Sequence, residues 1–103
     1  MDKDDKIINL VPHQHDDLSH LLGVQIVIDT DSSYIYIGTL ERVGREYLAI
    51  SNVDVHDTAD SKATKEHYTH ETKKLGPRHN RTLTLVRIAR IVSIAKLDDV
   101  ILF

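Results

Sequence analysis

The chain contains no cysteine, has only four glycines among its 103 residues, and holds no long apolar run. Without cysteine there is no disulfide framework, no thiolate metal site and no cysteine nucleophile, and a reducing compartment is favoured. Four glycines are too few for a dinucleotide-binding or phosphate-cradling loop. The charged start, Met1–Lys6, lacks the apolar core of a signal peptide, and no segment approaches the roughly 20 apolar residues of a membrane-spanning helix. We therefore expect a cytoplasmic protein with no membrane partner.

An excess of basic charge is also missing, because the formal net charge is −3. Nucleic-acid binding needs clustered lysine and arginine, so a general affinity for phosphate backbones is not expected. The basic residues nevertheless cluster between residues 73 and 90, whereas the acidic ones gather at the N-terminus and around residues 54–60. A local basic patch is therefore the one charge feature that indicates a binding role.

Catalytic motifs are absent as well. The sequence shows no nucleophile elbow with a Ser-His-Asp order and no paired-carboxylate motif. We expect a non-enzymatic protein that needs no cofactor. A length of 103 residues predicts a single domain with a thin core, which oligomerisation would help to stabilise.

The N-terminal part predicts an arm followed by a short helix. Residues 1–15 form the arm, which includes an apolar stretch at residues 7–11 that is either an edge strand or a segment docking on a neighbour. Leu18, Leu21 and Leu22 are spaced as one apolar helix stripe, with Asp16 as the N-cap and Gly23 in the left-handed position that ends a helix.

Strands follow the helix. Val24, Ile26 and Ile28 alternate with other residues at a period of two, and residues 34–43 form a long β-branched and aromatic strand. Gly38 within it predicts a sharp bend or bulge. In the strand over residues 46–55 the apolar phase slips, which predicts a bulge near Ser51 and Asn52.

A long polar loop separates these three strands from two more. It covers residues 56–81 and contains a candidate solvated helix over residues 60–74, and connections of this length are usually functional or mobile. Residues 82–94 return to β structure with a corner, and the apolar end, residues 100–103, is expected to pack on the barrel or on a neighbouring subunit. The fold class is mostly β: a small five-stranded SH3-like barrel with a short N-terminal helix.

Two motifs in this order resemble the Sm-like (LSm) family. The helix end Leu21-Leu22-Gly23, followed by Tyr36-Ile37-Gly38-Thr39-Leu40, is similar to the first family motif, and residues 86–94 match the spacing of the second. The resemblance covers about residues 16–95 within a domain of residues 16–103, with the loop at 56–81 where the family varies in length. It implies an Sm-like barrel, assembly of copies into a ring, and RNA as a ligand.

The positions that hold a uridine base in RNA-binding Sm proteins are mostly not matched. Gly44 and Tyr47 stand where the family has an aspartate and an asparagine, and Ile88 replaces a glycine. Arg87 alone remains of the base-binding set. The resemblance therefore implies the fold but not the uridine pocket.

The histidines are weak metal candidates. His13, His15 and His20 lie close together beside acidic residues and could hold Zn²⁺, although a solvated region before the helix explains them as well. The histidines in and beside the long loop are interpreted as surface residues that make its charge pH-dependent near neutrality: His56, His67, His70 and His79.

Basic residues and one tyrosine are the preferred binding candidates. The nucleic-acid-binding set is Arg87, Arg90, Tyr47, Arg78 and Arg81, with Arg87 facing the pore of a ring and Tyr47 available to stack on a base. The alternative is structural: Arg87 pairs with a nearby aspartate and Tyr47 packs in the barrel. The leading hypothesis is an Sm-like homo-oligomer with RNA as a ligand, and the alternative is a protein-interaction or scaffold module on the same barrel.

Overall fold

The computed structural model describes residues 16–102 and confirms a mostly β domain with five strands. A 3₁₀ helix, Asp16–Leu21, comes first, and three-residue 3₁₀ turns follow three of the strands. The main elements, in chain order, are β1 (Gln25–Thr30), β2 (Tyr34–Val43), β3 (Tyr47–Asp57), α1 (Lys65–Leu75), β4 (Arg81–Arg87) and β5 (Ile91–Lys96). The predicted order of a helix, three strands, a long loop with a helix, and two strands is therefore correct.

The strands form one antiparallel sheet in the order β4-β3-β2-β1-β5. β4 and β5 lie at opposite edges of the sheet, yet only the turn Ile88–Arg90 connects them. The sheet must therefore curl until its two edges approach each other, which gives a barrel that is open between β4 and β5. The barrel interior holds the main core, made of Leu21, Ile26, Ile28, Leu40, Leu48, Ile50, Val53 and Val86.

The predicted bend in β2 and bulge in β3 meet at the same place. The β2–β3 register shifts between Ile37 and Thr39, and Asn52 takes a positive φ of 49° opposite that shift. Because of the bulge, Ile50 and Val53 both point into the core although they are three residues apart, and both are fully buried. A β-carbon at position 38 would lie 2.9 Å from the Ser51 carbonyl oxygen, so the close approach of the two strands requires glycine.

The N-terminal helix differs from the predicted apolar stripe at one position. Leu18 and Leu21 pack against the core, but Leu22 is exposed. A 3₁₀ helix has three residues per turn, so residues i and i+3 share a face and residue i+4 rotates away from it. Gly23 has a φ of 78° and ends the helix as predicted. The N-cap role of Asp16 and the arm before it lie outside the described side chains.

A second, smaller core covers the outer face of β1 and β2. Val27, Ile35, Ile37 and Leu97 are buried there, with Tyr68 of α1 and Val100 packed against them. Both faces of β1 are therefore buried, which the alternating pattern of the strand did not predict. The long loop folds back onto the sheet through α1 instead of staying solvated.

The apolar C-terminal segment is only partly packed on its own barrel. Val100 packs on the second core, but Ile101 is 74% exposed and Leu102 is also exposed. The expectation that this segment is covered by the barrel is thus wrong for these two residues, and a neighbouring subunit remains the alternative. In the described part of the chain, no helix is long and apolar enough to cross a membrane.

Candidate interaction surface

Among residues 16–102, no further strand pairs with either edge of the sheet, and both edges carry exposed apolar side chains. On β4, Leu83 is 58% exposed and Leu85 is 52% exposed. They point to the outer face, because Val86, the residue that follows Leu85, points into the core. On β5, Val92 is exposed as well. Exposed edge strands are templates for pairing with another strand, and leucines beside such an edge extend the apolar contact area.

Arg87 and Tyr47 lie side by side at one end of β4. They are register partners on β4 and β3, and the Arg87 guanidinium carbon lies 5.9 Å from the centre of the exposed Tyr47 ring, a cation–π contact. The alternative prediction was that Arg87 pairs with an aspartate and that Tyr47 packs in the barrel. Among the described residues, however, Arg87 has no aspartate partner, and Tyr47 is not in the core.

The remaining arginines of the predicted set lie elsewhere. Arg81 is at the opposite end of β4 from Arg87, roughly 20 Å away at the rise of a β-strand. Arg78 precedes it, and its backbone N–H donates to the Asp54 carboxylate. Arg90 forms an exposed ion pair with Asp31 at 2.7 Å. The fold thus brings Arg87 and Tyr47 together but spreads the other three arginines over separate places.

A groove of about 390 Å³ lies between α1, the outer face beside β5 and the C-terminal segment, and is called here the β5 groove. Its floor includes Val27 and the exposed edge residues Ser93 and Ala95. Its lining is completed by Asp29, Ile35, Lys65, Glu66, Thr69, His70, Asp99, Val100 and Ile101. The edge of β5, to which no other strand of residues 16–102 is added, therefore runs beside a half-open groove.

Helix α1 is held on the sheet by polar contacts that the sequence patterns did not indicate. Asp54 is 1% exposed, and its carboxylate accepts hydrogen bonds from the Tyr68 hydroxyl and the Arg78 N–H. The Tyr68 ring stacks on His56 with centroids 3.8 Å apart. Lys65 donates to the Asp29 carboxylate at 2.6 Å and to two carbonyl oxygens of the β1–β2 turn.

His56 therefore differs from its interpretation as a surface residue. Its ring is covered by Tyr68, and its Nε2 atom is buried without a hydrogen-bond partner in the described part of the chain. His67 is exposed, as expected, whereas His70 is half-buried beside Glu66 at 3.2 Å. The histidines of the loop thus have different environments because α1 turns one face toward the sheet.

The buried face of α1 has helical spacing but polar composition. Lys65, Tyr68, Thr69 and Thr72 occupy positions i, i+3, i+4 and i+7 and face the sheet. Thr69 and Thr72 are buried, and their hydroxyls are satisfied because they donate to carbonyl oxygens one turn earlier, at 2.7 and 2.9 Å. Tyr68 is the only tyrosine in the loop, which has no phenylalanine or tryptophan, and it was the one signal in the sequence that could have indicated docking.

The docking contacts raise the pKa of the Tyr68 hydroxyl above its ordinary value of 10.0, mainly through burial and secondarily through the hydrogen bond to Asp54. Burial also raises the pKa of Tyr36. Above pH 10 the unfolded chain therefore releases these protons before the folded chain does. The stability that comes from a raised pKa is complete below that pH and is lost as the pH rises further.

We accordingly expect the free energy of unfolding to fall as the pH is raised above about 10, and to fall less steeply in Tyr68→Phe. Urea unfolding at a series of alkaline pH values measures the slope. Tyr36→Phe should also flatten it, since its pKa is raised too. Parallel curves for wild type and Tyr68→Phe would contradict the assignment.

The weak metal candidates do not meet in the described part of the chain. No group of three or more potential metal ligands occurs among residues 16–102. His20 is exposed on the 3₁₀ helix, while His13 and His15 lie outside the described residues. The zinc hypothesis therefore stays an untested prediction about the arm.

Comparison with known proteins gives structural but not sequence relatives. No family model and no curated protein sequence matches the chain. A chain in the crystal structure of the NatC complex bound to CoA has a TM-score of 0.52 and 16% identity, covering 77% of this chain and 82% of that one. The Sm protein of Pyrococcus abyssii in complex with a uridine heptamer has a TM-score of 0.51 and 8% identity, covering 79% and 93%.

Identities this low support a shared fold and nothing finer. The second similarity agrees with the Sm-like fold expected from the motifs around Gly38 and Arg87. The two solved neighbours are reported in different settings, one in a complex named NatC and the other bound to uridines. The choice between assembly and RNA binding therefore depends on the surface of this chain.

Proposed function

We propose that this chain is a non-catalytic assembly subunit that binds other protein chains by strand addition at the open edges of its sheet. The observation that carries the proposal is β4, an edge strand that has no neighbour on one side among the described residues and whose outer face presents Leu83 and Leu85 to solvent. Strand addition supplies main-chain hydrogen bonds, and alternate side chains beside the edge supply specificity.

The residues near the edges favour protein over RNA as the principal partner. The net charge is −3, the uridine-holding aspartate and asparagine are replaced by Gly44 and Tyr47, and Arg90 is already paired with Asp31. A chain of similar fold that was solved as part of the NatC complex supports the same interpretation. Leucine, tyrosine and arginine side chains on one face also suit a protein interface, where aromatic residues and arginine are enriched.

The double substitution Leu83→Lys/Leu85→Lys should remove the companions of this chain, whether these are further copies or other proteins. Burying a leucine side chain stabilises by about 1.5–3 kcal/mol, so losing two should weaken association by roughly 100-fold or more. Native mass spectrometry of affinity-purified protein, expressed in its own cells, measures which masses accompany it.

The matched control is Leu75→Lys, the same change at an exposed leucine at the end of α1. Because all three leucines are exposed, the domain should stay folded in both variants, as circular dichroism can verify. Companions that persist in the edge variant, or that disappear equally in the control, would refute strand addition at β4.

RNA binding is a second candidate because Arg87 and Tyr47 lie together at the surface. If RNA binds there, Arg87→Ala should lower its affinity by roughly tenfold and reduce the dependence of affinity on salt by about one phosphate contact. Fluorescence anisotropy with oligouridine at several salt concentrations measures both. Lys62→Ala, which removes one exposed charge before α1, is the control, and equal effects of the two variants would exclude the Arg87 site.

A further inference from the structure

The β5 groove has room for a strand beside the edge of the sheet. Ser93 and Ala95 of β5 line the groove and stand on the outer face, because their register partners on β1 are Asp29 and Val27. The two small side chains are two residues apart, about 6.8 Å along an antiparallel strand. The groove therefore fits an added strand that places two larger aliphatic side chains at the same spacing.

The charged groups of the groove add a requirement for one basic residue. Lys65 pairs with Asp29 at 2.6 Å, and Glu66 lies 3.2 Å from His70. Among the described residues no cation pairs with Asp99, which lines the groove just beyond the end of β5. A strand that runs antiparallel to β5 passes this end of the groove first. It should therefore carry a basic residue, followed by aliphatic residues two and four positions later.

The N-terminal segment of the chain has this sequence pattern. Ile8 and Leu10 follow Lys6 by two and four residues, and Pro12 comes shortly after them. Two other places have a lysine or arginine with leucine, isoleucine or valine at both positions. Of these, residues 81–85 belong to β4, which already pairs with β3, and residues 90–94 include β5 itself. The N-terminal segment is therefore the one part of the sequence outside the described sheet that has the pattern.

We propose that residues 6–11 of the same chain add to the edge of β5 as a sixth, antiparallel strand. Ile8 and Leu10 of this strand lie in the β5 groove, and Lys6 lies beside Asp99. This inference goes beyond the proposed function and does not depend on the β4 surface. The N-terminal segment then covers one edge of the sheet, so a partner strand reaches β5 only by displacing it, whereas β4 stays open to partners.

The alignment of the added strand follows from these contacts. Placing Ile8 opposite Ala95 also turns Leu10 toward the groove, because alternate side chains share a face. The same alignment brings Pro12 opposite Ile91, the first residue of β5. Proline has no N–H to donate and is found at the ends of strands, so the added strand ends where β5 begins. A shift by one residue would turn both aliphatic side chains away from the groove.

The connection to the rest of the chain has the length that this arrangement needs. A strand antiparallel to β5 runs in the same direction as β1, because β5 is antiparallel to β1. Strands that run in the same direction need a crossover of about a dozen residues or more. Residues 13–24 are of this length and include the 3₁₀ helix Asp16–Leu21. Leu18 of that helix packs on the same core as Ile91 and Ile94, so the crossover passes close to β5.

Other groups at the groove favour the same occupant. Ile101, which lines the groove and is 74% exposed, becomes covered by the added strand. Beyond the end of β5, Lys73 donates to the Asp98 carbonyl oxygen at 2.6 Å. The acidic residues that precede Lys6 therefore meet a lysine at this end of the groove, so both signs of charge in the segment find a counterpart.

Engineered disulfides test the alignment directly, because the natural chain has no cysteine. Full-length Ile8→Cys/Ala95→Cys protein is oxidised mildly at low concentration. Residues opposite each other on paired strands have α-carbons about 4.5–5.5 Å apart, within the range that a disulfide spans. In the control, Ile8→Cys/Ser93→Cys, the two cysteines are diagonal neighbours about 7–8 Å apart. Non-reducing gels and mass spectrometry of linked peptides distinguish disulfides within one chain from those between chains.

The expected result is a disulfide within one chain, with a yield roughly tenfold or more higher for the 8/95 pair than for the 8/93 pair. Equal yields for the two pairs, or no disulfide for either, would overturn the alignment. A disulfide that forms only between chains would show that the segment binds a second copy, and would overturn the assignment to the same chain.

Amide hydrogen exchange tests the added strand without cysteines. In the wild-type chain, the β5 amides that do not face β1 should be protected. Ile8→Lys/Leu10→Lys should accelerate their exchange by roughly tenfold or more, because the lysines do not bury apolar surface in the groove. The matched control is Leu75→Lys at the end of α1, which should leave these amides unchanged. Unprotected amides in wild type, or equal exchange in the two variants, would contradict the added strand.

A charge reversal tests the contact at the end of the groove. Lys6→Glu should accelerate exchange of the same amides by about threefold, the size expected for an exposed ion pair. Asp99→Lys in the same chain should restore the wild-type rate. Faster exchange without restoration would overturn the contact between Lys6 and Asp99.

The outcomes separate this inference from the proposed function. If no 8/95 disulfide forms within one chain but Leu83→Lys/Leu85→Lys removes the companions, the assembly role stands and the added strand is wrong. If the 8/95 disulfide forms and the companions survive the β4 substitutions, the added strand stands and the proposed function fails.

Discussion

Replacing Asp54 with alanine should detach α1 from the sheet and lower the free energy of unfolding by about 2–6 kcal/mol. Its carboxylate is 1% exposed and accepts from the Tyr68 hydroxyl and the Arg78 N–H. Removing the acceptor leaves two donors without partners, each costing about 1–3 kcal/mol when buried. Against a total stability of about 5–15 kcal/mol, this is a large loss.

Urea unfolding measures the loss, and hydrogen exchange shows where it falls. The amides of α1 should lose protection first, while those of β1 to β3 keep it, because the barrel core does not include Asp54. The matched control is Asp31→Ala, which removes an exposed carboxylate paired with Arg90 and should cost less than about 1 kcal/mol. Equal losses for the two variants would show that the buried carboxylate does not hold the helix.

The same substitution bears on the β5 groove. Glu66, Thr69 and His70 of α1 form one side of that groove, so a detached helix would open it. A partner chain that adds to the β5 edge beside this groove should therefore bind Asp54→Ala more weakly, although Asp54 lies outside the groove lining. The buried network around Asp54 would then position the binding surface without touching the partner.

The fold could be predicted from the sequence because its strands follow simple periodicity. Three sequence signals correspond to features of the sheet. The alternation that ends at Ile28 marks β1, and Gly38 together with the change of apolar pattern after Ile50 marks the bulge between β2 and β3. Each is a local consequence of side chains alternating between two faces. The order of the elements along the chain, predicted from these patterns, then matched the order of the Sm-like fold, and the similarity to a solved Sm protein supports that fold.

The docking of α1 could not be predicted for an equally physical reason. Its buried face uses Lys65, Tyr68, Thr69 and Thr72, residue types that sequence patterns assign to solvent. Their polar atoms are satisfied by partners distant in sequence, such as Asp29 and Asp54, which no spacing rule connects. The outer core residue Val27 was missed with them, because a strand buried on both faces loses its alternation.

The fold brings together only some of the predicted binding residues. Arg87 and Tyr47 were singled out separately, and the β3–β4 register makes them neighbours. Arg78, Arg81 and Arg90 are close in sequence, but a strand separates Arg81 from Arg87 and a turn directs Arg90 to Asp31. Residues that are close in sequence stay close in space when they share one turn of a helix or one short loop. Because β4 is extended, it places Arg81 and Arg87 at opposite ends of the strand.

Substituting Gly38 with alanine should lower the free energy of unfolding by about 2–3 kcal/mol, the upper range for overpacking. The added β-carbon would lie 2.9 Å from the Ser51 carbonyl oxygen and 3.3 Å from the Val53 α-carbon. Both are backbone atoms of β3, so relief requires moving a strand that hydrogen-bonds on both sides. Thermal and urea unfolding measure the effect.

Gly23→Asn is the control that separates crowding from backbone conformation. Position 23 has a φ of 78°, a β-carbon added there would meet no atom within 4 Å, and asparagine tolerates this left-handed region. We expect a small loss there, well below that of Gly38→Ala. A similarly small loss of stability in Gly38→Ala would mean that β2 and β3 can separate at the bulge. The bend of the sheet would then depend on the flexibility of glycine and not on the close contact. A large loss confined to Gly38 would instead identify this contact as the reason why the sheet curls at this point and brings its two edges, β4 and β5, toward each other.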